Sequence, residues 1–123
     1  MLRLALLFAV IVVAFDAIAA FVANAAGFNY GQFALISVVI YVALGIFAGQ
    51  RLRRFRALTA IVIAALVDAS LGSYVAASIG RDVPTVHSST MEIVGAALLG
   101  ALLNIAFGTI GVVVGARVAR RSL

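Results

Sequence analysis

The chain has 123 residues, of which 66% are hydrophobic, and its mean hydropathy is +1.27. A soluble domain is nearer half apolar, so this composition predicts a single transmembrane domain covering 1–123. Cysteine is absent, which excludes disulfides and thiolate metal sites. One histidine and four carboxylates are too few for an ordinary protein metal cage, so we predict no metal and no other cofactor.

Four apolar tracts are long enough to cross a bilayer, which takes roughly 20 residues of helix. They run over 4–23, 33–50, 57–79 and 91–116, with connecting segments 24–32 and 80–90 on one side and 51–56 on the other. We therefore predict an all-α membrane protein, built as a four-transmembrane-helix bundle.

The first tract has a second interpretation, a cleaved signal peptide. Arg3 would provide its positive start, and Ala23-Asn24-Ala25 fits the A-x-A cleavage pattern. Against this, the apolar part exceeds the usual core of about 7–15 residues, and Asp16 interrupts it. We favour a retained helix.

The basic residues are all arginine, and they cluster at the ends of the tracts. The segment 51–56 and the C-terminal end hold seven of them, namely Arg51, Arg53, Arg54, Arg56, Arg117, Arg120 and Arg121. The positive-inside rule places such clusters in the cytoplasm, so the segments 24–32 and 80–90 become outside loops. We predict a prokaryotic inner-membrane protein with both termini cytoplasmic. The net charge of +5 then favours acidic lipid headgroups over nucleic acid as its partner.

Small residues recur at helical spacing and mark faces where another backbone can approach. The candidate packing glycines are Gly45, Gly49, Gly72, Gly100, Gly108, Gly111 and Gly115. Small-xxx-small pairs of this kind favour close helix association, although they also arise by chance in glycine-rich apolar helices. These faces predict a homo-oligomer or a place in a larger membrane complex.

An internal repeat is a further possibility. The segment 45–51 matches 111–117 as G-x-x-x-G-x-R, at an offset of 66 residues. The topology would make the two halves parallel repeats, related by an axis along the membrane normal. Chance is the alternative, because the chain uses few residue types and the matching alignment leaves Asp16 and Asp68 two positions out of register.

Polar groups form a layer inside the predicted membrane core. Asp16, Asp68, Asn104 and Ser37 each lie on a different tract, about 12–14 residues from the arginines at its end. At about 1.5 Å per residue they stand roughly 18–21 Å from the arginine level. An aspartate near the centre of a span costs about 2.5–3.5 kcal/mol, so we expect these side chains to face one another rather than lipid.

Two carboxylates in a low dielectric cannot both ionise cheaply. We interpret Asp16 and Asp68 as a proton or cation site, with Asn104 and Ser37 as neutral ligands, in a transport-type protein. Two alternatives stay open. The acids could be protonated and hydrogen-bonded only to orient helices, as in an accessory or assembly subunit, or each could face a neighbouring subunit.

Catalysis is not expected. Two membrane aspartates invite comparison with intramembrane aspartyl proteases, but no G-x-G-D motif surrounds Asp68, which lies in Leu66-Val67-Asp68-Ala69. The spans contain no Ser-His pairing, P-loop or dinucleotide fingerprint. The first tract also lacks the glutamate that small multidrug transporters carry there. We predict no catalytic residue and assign no family.

Overall fold

The computed structural model describes residues 1–28, 30–79 and 90–121, which are helical apart from short turns and contain no strand. The helices are α1 (Leu2–Ala26), α2 (Ala34–Arg51), α3 (Arg54–Val67), α4 (Ser73–Ile79) and α5 (Thr90–Arg121). A 3-10 turn, Tyr30–Phe33, precedes α2, and a π-helical turn, Asp68–Gly72, joins α3 to α4. The all-α prediction is confirmed, and four helical stretches are long and apolar enough to cross a membrane, as the four predicted spans require.

The helices reach further than the apolar tracts. The segment 51–56, predicted as a turn, leaves only Leu52 and Arg53 outside helix, because arginine is a good helix former and continues both neighbours. Gly27 ends α1 in the left-handed conformation, with φ 73°, which glycine adopts without steric cost. The predicted loop 80–90 lies outside the described residues except for Thr90.

One end of the bundle carries every arginine in the described part of the chain. The Phe8 and Phe47 rings meet edge to face, 6.4 Å apart, which brings the start of α1 to the end of α2. The Arg51 guanidinium lies 4.5 Å from the centre of the Phe47 ring. Since α3 begins just after α2 ends, α1 and α3 run away from this arginine end and α2 runs towards it.

The interior is lined by small residues and the large apolar side chains point outward. Alanines at Ala5, Ala19, Ala20, Ala48, Ala57, Ala60, Ala64 and Ala65 are almost fully buried. Large residues such as Leu35, Val39, Phe21 and Leu102 are more than half exposed. This distribution suits a bundle surrounded by hydrocarbon, where apolar surface costs nothing and small residues allow close packing.

The helices are unequally paired. The pair α2–α5 has the most extensive interface, and α1 packs mainly on α3, the π-helical turn and α4. Helix α3 also contacts α2 and α5, so it lies between α1 and the α2–α5 pair. A side chain that points from the α3 side into the bundle is therefore close to α1, α2 and α5.

Four glycines bring the backbones of α2 and α5 into direct contact, and we call them the glycine seam: Gly45, Gly49, Gly111 and Gly115. A Cβ added at Gly111 would meet the carbonyl oxygen of Val42 and lie 3.0 Å from the Cα of Gly45. A Cβ added at Gly45 would meet the carbonyl oxygen of Gly108 and lie 3.0 Å from the Cα of Gly111. The residue numbers rise together along both helices, so α2 and α5 are parallel.

The contacts of the seam come in matching pairs, in which the residue numbers of one contact differ by 66 from those of the other. A Cβ at Gly49 would meet the carbonyl oxygen of Val112, and a Cβ at Gly115 would meet that of Ile46. The two helices thus present the same surface to each other across a local two-fold axis.

The remaining predicted packing glycines have three different surroundings. Gly108 faces the side chain of Ile61 on α3, whose Cγ2 would lie 2.5 Å from an added Cβ. Gly72 faces the carboxyl groups of Asp16 and Asp68. At Gly100 an added Cβ would meet nothing within 4 Å in the described part of the chain, so no neighbouring helix explains this glycine.

We expect Gly111→Ala to destabilise the protein and Gly100→Ala to leave it unchanged or slightly more stable. In a free helix position alanine is favoured over glycine by about 0.5–1 kcal/mol. In the seam the two backbones must separate to admit the methyl group, and overpacking of this kind costs about 1–3 kcal/mol. Thermal unfolding of the purified variants in detergent measures both; equal midpoints for the two variants would contradict the seam.

Candidate intramembrane carboxyl site

The carboxyl group of Asp68 is held by side chains from two other helices. Its Oδ2 accepts a hydrogen bond of 3.0 Å from the Tyr41 hydroxyl and one of 3.1 Å from the Asn104 amide nitrogen. Tyr41 is fully buried and Asp68 is 8% exposed. Because α3 lies between its neighbours, one oxygen of Asp68 can receive donors from α2 and α5 together.

The second oxygen of Asp68 lies beside Gly72, where a carboxyl oxygen of Asp16 on α1 also lies. Asp68 Oδ1 is buried and has no hydrogen-bond partner in the described part of the chain. A Cβ added at Gly72 would lie 2.7 Å from this oxygen and would also meet Oδ2 of Asp16. Asp16 is itself only 9% exposed. The missing side chain of Gly72 therefore provides the space in which the two carboxyl groups come together.

The π-helical turn Asp68–Gly72 includes both Asp68 and the glycine that makes this space. Short π-helical turns inside α-helices frequently occur at functional sites. Such a turn loosens the regular backbone hydrogen bonds, and here the Ser70 hydroxyl lies 2.8 Å from the carbonyl oxygen of Leu66 and 3.2 Å from that of Val67. Ser70 thus satisfies the backbone next to the site and is not part of the site.

Three of the four residues predicted for the polar layer come together: Asp16, Asp68 and Asn104. The hydrogen bonds to Asp68 come from Tyr41 and Asn104, whereas partly exposed Ser37 does not join them. Tyr41 lies one helical turn from Ser37 on the same face of α2.

The predicted polar layer does not include Tyr41, because the depth of each residue in the membrane is predicted there from its position along the backbone. Its Cα stands about 10 residues from Arg51, or roughly 15 Å, below the predicted layer. Side chains lean towards the N-terminus of their helix, and α2 runs towards the arginine end. The long side chain of Tyr41 therefore carries its hydroxyl away from Arg51 and up to the level of Asp68. The sequence signal that could have found it is the shared face with Ser37 and Gly45.

The remaining predicted sites are at the arginine end. The arginines predicted to contact headgroups, Arg51, Arg53, Arg54, Arg56, Arg117, Arg120 and Arg121, are all exposed. Among the residues that the structure describes, no group of three or more His, Cys, Asp or Glu side chains could hold a metal ion.

The geometry has a definite chemical consequence. Carboxylate oxygens are acceptors only, so Asp68 Oδ1 and Asp16 Oδ2 cannot satisfy each other unless a proton or a cation lies between them. Leaving a buried acceptor unsatisfied costs about 1–3 kcal/mol, and more for a charged group. The fold and the site together define a bundle of four apolar helices around a buried carboxyl pair.

Comparison with known proteins assigns the chain to no family. No protein-family model matches the chain, and neither curated proteins nor solved structures yield a match. The functional argument therefore depends on the contacts of the site itself.

A double-mutant cycle tests the buried hydrogen bond between Tyr41 and Asp68. We expect Tyr41→Phe to lower the stability in detergent by about 0.6–2 kcal/mol, the range measured for hydrogen bonds between membrane helices. The loss should shrink when Asp68 is already replaced by Leu, which offers no acceptor oxygen, because the two side chains are coupled. Exposed Tyr74, changed to Phe, is the matched control and should have no effect. Additive losses for Tyr41 and Asp68 would contradict the contact.

Proposed function

We propose that this chain is a small multi-pass protein of the prokaryotic inner membrane that transports a proton or another cation through the Asp16–Asp68 pair. The observation that carries the proposal is the Oδ1 atom of Asp68, which is buried beside a second carboxyl group and has no hydrogen-bond partner in the described residues. A pair that served only to join helices would be expected to satisfy all its oxygens. A buried oxygen that has no donor and lies near a second acid could bind an ion that is later released.

The position of the pair supports transport. Asp68 stands about 12 residues from Arg56 along its helix, or roughly 18 Å, inside a hydrocarbon core about 30 Å thick. Ionisable groups at such depth are costly and in membrane proteins usually belong to ion or substrate pathways.

The topology belongs to the same proposal. The arginine end faces the cytoplasm, in keeping with the positive-inside rule, and both termini are cytoplasmic. The bundle fills its own interior with alanine, so an oligomer or a larger complex would supply further walls for an ion path. The interchange of seam contacts between α2 and α5 supports an origin from two parallel two-helix repeats.

A second candidate function is a non-transporting accessory or assembly subunit. One observation favours it: the two hydrogen bonds to Asp68 connect α3 with both α2 and α5, as a purely structural bridge would do. In that case the acids would hold helices together and never exchange an ion.

Ion flux in liposomes separates these two functions. The purified chain is reconstituted, a potassium diffusion potential is imposed with valinomycin, and internal pH and sodium uptake are followed in separate samples. We expect flux from the parent chain and none above protein-free liposomes from Asp16→Asn or Asp68→Asn, because the amide keeps the shape of the side chain and cannot titrate.

The control for this experiment is Glu92→Gln, an acid-to-amide change at the exposed start of α5, which should retain full flux. Reconstitution yield and size-exclusion profiles must be equal for all variants. A parent chain without any flux, combined with loss of assembly in the two Asn variants, would end the transport proposal and favour the accessory role.

Reporter fusions test the orientation. Green fluorescent protein fused after Leu123 should fluoresce in a bacterial host, and alkaline phosphatase at the same point should be inactive, since the arginine end is held inside. Phosphatase fused after Gly27, where α1 ends, is the matched control and should be active. The opposite pattern at the two sites would reverse the topology.

A further inference from the structure

A metal cation between Asp16 and Asp68 would need several oxygen ligands. Calcium takes 6–8 oxygen ligands, magnesium requires an octahedral set, and potassium in a filter exchanges its water shell for a cage of carbonyl oxygens. The three atoms nearest to a Cβ added at Gly72 all belong to the carboxyl groups of Asp16 and Asp68. A proton needs only two oxygens.

The neutral groups around the pair present hydrogens and not lone pairs. Tyr41 directs its O–H and Asn104 its N–H at Asp68 Oδ2. Both groups therefore stabilise negative charge on the carboxylate and compete with a cation for the same oxygen. Nearby hydroxyls are also engaged, since Ser70 donates to the carbonyl oxygen of Leu66 and Thr109 to that of Ile105.

We infer that the ion of this site is a proton, shared between Oδ1 of Asp68 and the facing carboxyl group of Asp16, with Tyr41 and Asn104 as the positioning residues. The inference rests on the proposed function and specifies its ion. When the proton binds, one acceptor oxygen becomes a donor to the other, and a pair of two negative charges becomes a pair with one. The two donors hold Oδ2 throughout, so the proton enters and leaves on the Oδ1 side.

The groups that face Asp68 from each packed helix are few. Helix α1 contributes Asp16, α2 contributes the Tyr41 hydroxyl, and α5 contributes the uncharged amide of Asn104. Tyr74, in α4, points outward and is 72% exposed. In the described part of the chain, the site therefore brings two acids and one phenol together.

A hydrophobic carbodiimide tests the inference directly. Dicyclohexylcarbodiimide dissolves in the apolar phase and adds the O–H of a protonated carboxyl group across its C=N bond; the adduct then rearranges to a stable acylurea without losing an atom. The full chain is treated in detergent over a range of pH, and the adduct is located by mass spectrometry. We expect labelling at Asp68 or Asp16 under acidic conditions that falls to background as pH rises.

Sodium and potassium chloride provide the competing ions. At constant pH, and with choline chloride holding the ionic strength, neither salt should change the labelled fraction. Protection by sodium or potassium would overturn the inference, because it would place that cation between the carboxyl groups. Absence of labelling at every pH, in a protein that still transports, would overturn it as well.

Tyr41→Phe separates positioning from simple packing. The Tyr41 hydroxyl stabilises the ionised form of Asp68 more than the protonated form, because hydrogen bonds to a charged acceptor are the stronger ones. Its removal should let labelling persist to more alkaline pH, whereas Tyr74→Phe should leave the pH profile in place. An unshifted profile in a folded Tyr41→Phe protein would remove Tyr41 from the site.

The outcomes of labelling and flux can be told apart. Labelling that depends on pH but not on salt, in a chain without flux, would support proton binding and end the proposed transport. Flux of sodium or potassium with protection by the same ion would keep the transport proposal and end the inference about the proton.

Discussion

The packing of the bundle depends on how the two oxygens of Asp68 are satisfied. An acid inside an apolar helix cannot face hydrocarbon, and its two oxygens need either donors or an ion. Tyr41 and Asn104 satisfy Oδ2, which draws α3 against α2 and α5. Oδ1 lies beside Gly72 together with the carboxyl group of Asp16, so α1 packs on the opposite side of α3. The central position of α3 in the bundle follows from these polar demands as much as from its alanine-rich face.

The glycine seam makes the two donors converge. Tyr41 lies one helical turn from Gly45 in α2, and Asn104 lies one turn from Gly108 in α5, so both are next to the closest approach of the two backbones. Larger side chains in the seam would spread the helices and separate a phenol and an amide that must reach the same oxygen. The close approach of α2 and α5 at the glycines therefore lets Tyr41 and Asn104, one helical turn away, contact the same oxygen of Asp68.

The sequence predicted the features that follow from length, hydropathy and spacing along a helix. Four spans, the common depth of Asp16, Asp68 and Asn104, and the packing faces of Gly45 and Gly111 all belong to this kind. Tyr41 could not be placed without the reach and tilt of its side chain, and the π-helical turn has no sequence signal beyond a glycine that other roles would explain equally well.

The acids and their donors lie on different parts of the bundle. Asp16 belongs to α1 and Asp68 to the π-helical turn that follows α3, whereas Tyr41 and Asn104 belong to the α2–α5 pair that the seam holds together. Both hydrogen bonds to Oδ2 cross between these parts, so a change in the charge of Asp68 changes the free energy that joins them. If the pair binds an ion as proposed, reciprocity requires that separating the two parts changes the affinity of the pair for that ion. Under the proposed function, ion binding and helix packing would thus be linked through the Oδ2 atom of Asp68.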